Sequence, residues 1–145
     1  MTPDQIRLVQ ESFRLVLPIA EQAAALFYRR LFDTDPGTRR LFAHADLEAQ
    51  GRKLMAAIAF VVGALPRPEG MLKTVRDLAR RHVGYGVREH HYATVGAALL
   101  WTLERGLGEA FTAETREAWA AAYGLLSSAM VEAAEAAAGA ERAAA

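Results

Sequence analysis

Two apolar stripes in this chain keep helical spacing, and a single polar residue breaks each. In the first, Leu47, Gln50, Leu54, Ile58, Val61 and Leu65 recur every three or four positions, so one face of a helix turns inward with only Gln50 able to hydrogen-bond. In the second, Leu72, Val75, Leu78 or Ala79, and His82 follow the same rhythm. Inward polar groups need a partner or a ligand. Two of them on facing helices predict a cavity.

The remaining runs read as helices too. Thr2, Pro3 and Gln5 offer a cap, a first-turn proline and a capping box; Ile6, Val9, Phe13 and Val16 follow, and Pro18 breaks the run. A second helix is expected over 18–32, with Ala20, Ala24, Phe27 and Leu31 inward, Tyr28 bordering that face, and Arg29 and Arg30 outside. Asp35 and Pro36 suit the cap and first turn of a short segment ending near Phe42. Pro66 and Pro68 stop the Gln50 helix, Gly70 opens the His82 helix, and Gly84 and Gly86 end it. A helix from about Glu89 carries Tyr92, Val95, Leu99 and Leu103 to Gly106 and Gly108. Thr112 caps the last, whose inner face is Trp119, Ala122 or Tyr123, Leu126 and Met130; the Ala-rich tail after about Ala133 is expected to fray. Neither strand alternation nor a long repeat occurs. The expected class is all-α, one domain over 1–145, with crossing helices rather than an up-and-down bundle.

Composition narrows the function. Seventeen basic residues balance seventeen acidic ones, so no net field recommends nucleic acid or an anionic membrane, and a small ligand is expected. The absence of Cys removes disulfides, thiolate metal sites and cysteine nucleophiles. The first 25 residues lack the pattern of an export signal, and the longest apolar stretch, Leu54 to Leu65, falls short of the roughly 20 residues that span a bilayer. A cytoplasmic location without a membrane span is expected. No HExxH, P-loop, GxSxG or GxGxxG is present to support hydrolase or nucleotide chemistry.

Taken alone, His82 reads either as a hydrogen-bonded core residue or as a metal ligand. Gln50 reads either as a backbone partner or as a cavity donor, and Tyr28 as core or as a hydroxyl aimed into the same cavity. His44, His90 and His91 fall in presumed corners or near a helix start and read as solvated residues without a ligand role.

The ordered motifs FYRRLFDTDPGTRRLF, QGRKL, RRHVGYGV, HYATVG and AWAAAYG resemble the bacterial single-domain haemoglobins and the globin domain of flavohaemoglobins over roughly residues 3–130. The resemblance implies a globin fold around haem b, with His82 as the proximal iron ligand and Phe42 packed on the porphyrin. It also implies Tyr28 and Gln50 as distal donors, Leu54 and Val95 as apolar walls, and Tyr92 as the residue that positions His82. The glutamate that accompanies such a tyrosine in flavohaemoglobins is replaced in register by Ala134, with Glu132 and Glu135 on other helical faces. Lys53 and Arg81 are candidates to pair with the haem propionates.

The function so implied is reversible binding of dioxygen, nitric oxide or carbon monoxide at ferrous iron. An alternative is a nitric oxide dioxygenase; with no flavin or nicotinamide domain in these 145 residues, it would depend on a separate reductase. A third reading is a haem-free helical interaction domain.

Overall fold

Helix starts follow local hydrogen-bond chemistry. In the computed structural model, which describes residues 1–84 and 86–144 (side chains at 72, 137 and 140–144 excepted), α1 spans Pro3–Val16. Thr2 Oγ1 accepts the Gln5 N–H at 3.1 Å and Gln5 Oε1 accepts the Thr2 N–H at 3.0 Å, so both orphan donors are satisfied. The expected inward position of Leu72 lies outside the described side chains.

Pro18 does not start α2. Leu17–Ile19 forms a 3-10 turn, where the missing proline N–H costs nothing, and α2 runs Ala20–Thr34, two residues later than the spacing predicted. A second 3-10 segment, Pro36–Phe42, carries Phe42. Asp35 does not cap it with its side chain; its backbone carbonyl accepts the Thr38 N–H at 3.0 Å and the Thr38 hydroxyl at 2.7 Å. Helix α3, Leu47–Ala64, is capped by Asp46, whose Oδ1 accepts the Glu48 and Ala49 N–H groups. Gly70 falls in a 3-10 turn, Pro68–Met71, so α4 begins only at Leu72 and ends at Gly84. Helix α5 spans Glu89–Leu107, and α6, Ala113–Ala144, opens on Thr112, whose Oγ1 accepts the Thr115 N–H at 3.2 Å.

The class is all-α: six helices and no strand occur among the described residues. None of those helices is long and apolar enough to cross a membrane. Helix α6 packs on α1 and α4, while α2 packs on α5 and α3. One core, built from Val9, Phe13, Val16, Val62, Leu103 and Trp119, ties α1 to α3, α5 and α6. At the α2–α3 crossing, a Cβ on Gly51 would come within 3.0 Å of Ala24 Cβ, so these two small residues set how closely the helices approach. Arg30 is not simply outside: its guanidinium lies 4.9 Å from the Trp101 ring centre, with Arg105 at 5.1 Å.

One polar relay crosses the first core. The Trp119 indole N–H donates to Ser12 Oγ at 2.8 Å, and the Ser12 hydroxyl donates to the Leu8 carbonyl at 2.6 Å, so a buried donor on α6 is satisfied from α1. Ser12→Ala leaves that indole N–H without its acceptor and is expected to lower unfolding stability by about 1–3 kcal/mol. Exposed Ser128→Ala should change it by less than about 0.5 kcal/mol. Urea unfolding of both variants checks the difference.

Candidate functional site

The α2–α3 crossing brings Tyr28 and Gln50 together. Tyr28 is buried, and its hydroxyl donates to the Gln50 backbone carbonyl at 3.4 Å, a long bond. Burial pushes the phenol pKa up to about 12, with the neighbouring Gln50 side chain drawing it partly back. The hydroxyl therefore keeps its proton at neutral pH and remains a donor. Phe27 meets the Tyr28 ring edge-on at 5.1 Å between centres and Phe42 does so at 5.3 Å, while Leu54, Val95 and Leu99 complete the cluster. Behind it lies a small apolar hollow that Phe27, Leu54 and Leu99 also line.

His82 sits in different surroundings. Its helix, α4, rests on α6 through Val75, Ala79 and Met130, with Leu78, Tyr92 and Leu126 packed around them. The half-buried ring places Nδ1 2.8 Å from the Leu78 carbonyl one turn earlier. A carbonyl can only accept, so the ring proton belongs on Nδ1 and the lone pair on Nε2. Burial holds the pKa below its ordinary 6.5, the Leu78 bond opposes this, and the Arg81 charge adds to it. At neutral pH the ring is an uncharged nitrogen donor of fixed tautomer.

The two helices that carry Gln50 and His82 meet at their joined ends, where Val61 and Ala64 of α3 touch the Met71–Val75 cluster. Farther along, Leu54 belongs to the Tyr28 cluster and Leu78 to the α4–α6 cluster. Helix α5 spans both, giving Tyr92 to one and Val95 with Leu99 to the other. Thus Tyr28, Phe42, Gln50, Leu54 and Val95 form one group, Tyr92 belongs to the α4–α6 cluster, and His82 is tied to that cluster through the Leu78 carbonyl, while Lys53 and Arg81 are exposed. Leu47, expected on the inner stripe, is 38% exposed, at the first residue of α3, where it borders an open cleft against Ala20 and Ala24 of α2. At the far end of α6, Ala134 is half-buried, whereas Glu132 and Glu135 are exposed.

Residues 25–130 match the family profile described as globin. Over 133 residues, 90% of this chain, the sequence is 36% identical to a flavohemoprotein of Bordetella pertussis and 31% identical to one of Deinococcus radiodurans. The chain spans about a third of the length of these relatives, 33% in each case. A solved bacterial globin from Campylobacter jejuni has a TM-score of 0.82 at 26% identity, covering 92% of this chain and 96% of that one. The engineered carbene transferase RmaNOD from Rhodothermus marinus, a candidate nitric oxide dioxygenase, has a TM-score of 0.84 at 26% identity, covering 95% and 96%.

Sequence spacing left Tyr123 undistinguished from Ala122 as a core position. In the structure its hydroxyl donates to the Tyr92 backbone carbonyl at 2.5 Å, and burial raises its pKa well above the usual phenol value. Room for this ring depends on Gly96, since a Cβ there would lie 2.6 Å from Tyr123 Cε2. The only advance signal was a glycine inside an otherwise helical run, which marks close approach. Gly96→Ala is expected to displace Tyr123, break its bond to Tyr92 and lower stability by about 1–3 kcal/mol. Exposed Gly124→Ala, with open space at its Cβ, should be neutral or stabilising. Denaturant midpoints of the pair decide it.

Proposed function

The chain belongs to the globin family, and from that premise we propose that it holds haem b through His82 and binds diatomic gases reversibly at ferrous iron beside Tyr28. The observation that carries this reading is the His82 ring, neutral and oriented by the Leu78 carbonyl so that Nε2 holds the lone pair. No group of three metal-ligating side chains among the described residues includes His82. One imidazole nitrogen is too small a set to hold a bare cation, and fits an iron that brings its equatorial ligands in an apolar macrocycle. The half-buried apolar side chains of Phe42, Leu54, Leu78 and Val95 suit the faces of such a group.

Bound haem b supplies the ferrous iron at which dioxygen, nitric oxide or carbon monoxide binds. The chain supplies the surroundings. Tyr28 offers a hydroxyl donor that stays protonated, and the Gln50 side chain stands beside it as a second donor. Phe42, Leu54 and Val95 exclude water and so strengthen what those donors contribute. Tyr92, anchored through its carbonyl by Tyr123, packs on the α4–α6 cluster that also holds Leu78, the backbone partner of His82. Exposed Lys53 and Arg81 are our candidates to meet the propionates, contacts worth only about 0–1 kcal/mol each.

Nitric oxide dioxygenation with a separate reductase is the second reading, favoured by the similarity to flavohemoproteins and to the Rhodothermus protein. Ala134, with Glu132 and Glu135 exposed, weighs toward the binder. It leaves no carboxylate from this part of α6 to polarise the proximal side. A cytoplasmic location suits either use.

His82→Ala is expected to lose haem or its native coordination, read from the Soret band before and after reduction and carbon monoxide addition. An unchanged spectrum removes His82 as the ligand, and a wild-type chain that never takes up haem sinks the whole proposal. Tyr28→Phe keeps the ring and deletes the donor; dioxygen dissociation should speed up by about tenfold or more. An unaltered rate in stopped-flow measurement removes Tyr28 from the site.

A further inference from the structure

Outside the proposed haem site, a second set of donors comes together from distant parts of the chain. Asp35, at the end of α2, faces His90 and His91 in the first turn of α5, and one ligand atom from each lies within 4.8 Å of the others. We propose that these three residues bind one borderline-soft divalent cation of the zinc class. Two neutral imidazoles and one carboxylate are a donor set such an ion accepts, with a water completing the tetrahedron.

Zinc bonds of about 2.0–2.2 Å in a tetrahedron put two ligand atoms roughly 3.3–3.6 Å apart, so atoms now within 4.8 Å of one another must close by up to that difference. His90 is exposed and can swing to do this; Asp35 and His91 are half-buried and define the site. The two imidazoles already stack at 4.0 Å between ring centres. Arg40 and Arg88 lie close enough to act on His91 and oppose a cation, while Asp35 attracts it.

Binding changes a specific bond. His91 Nδ1 accepts the Arg88 backbone N–H at 2.8 Å, so the neutral ring keeps its proton on Nε2. Coordination through Nδ1 takes the lone pair from Arg88. Coordination through Nε2 moves the proton to Nδ1, which then faces another N–H. Either route breaks the Arg88–His91 bond, and the cation replaces that link with one from α5 to the turn leading into Pro36–Phe42. The inference does not depend on haem.

Zinc chloride titrated into the full chain by calorimetry tests it. One ion per chain is expected, with Asp35→Asn and His90→Ala each weakening binding at least tenfold and His44→Ala leaving it unchanged. Saturation should also speed hydrogen exchange of the Arg88 amide. No uptake, uptake that survives both Asp35→Asn and His90→Ala, or uptake lost with His44→Ala overturns the site. Uptake with the Arg88 amide unaltered overturns it as well, because His91 is then not a ligand.

Discussion

The contact on which the pocket depends is the meeting of Ala24 and Gly51, where α2 and α3 approach with almost no side chain between them. Because the helices come this close, the Tyr28 hydroxyl reaches the Gln50 carbonyl one residue before the crossing, and Leu54, one turn after Gln50, joins the cluster of Phe27 and Leu31. A bulkier pair would hold α3 away from α2 and separate the phenol from the amide. Close packing therefore acts here as a positioning device for polar groups.

The surroundings of His82 are held independently. Helix α4 takes its support from α6, so His82 is oriented by a core to which Tyr28 does not belong. Helix α5 links the two, and the Gly96–Tyr123 contact keys it to α6. Between the two clusters, the apolar side chains of Phe42, Leu54, Leu78 and Val95 stay partly uncovered, the condition that the proposed large flat apolar ligand would meet. The same division leaves Tyr92 tied by its backbone to Tyr123, with Glu132 and Glu135 of α6 exposed.

Much of this was legible in the chain itself. The Thr2–Gln5 box and the Thr112 cap rest on short-range spacing and appear as read, and so do the stripes around Gln50 and His82 apart from exposed Leu47 and from Leu72, which lies outside the described side chains. What spacing could not show was of two kinds. The tighter turns at Leu17–Ile19 and Pro68–Met71 look like helix starts because proline and glycine favour both. Contacts across the fold, such as Tyr123 with Tyr92 or Asp35 with His90 and His91, join residues whose neighbours carry no shared pattern. His91 in particular reads as a solvated corner residue until its ring is seen to accept the Arg88 N–H.

That Tyr28 bonds to the main chain of residue 50 as well as meeting its side chain has an evolutionary consequence. The side chain at position 50 can be exchanged while the carbonyl that anchors the phenol persists. A lineage can thus rewrite that side chain by single substitutions without first rebuilding the scaffold. Divergence in chemistry is cheap at this position, whereas at Gly51, its immediate neighbour, almost any change must be met by one on the opposing helix.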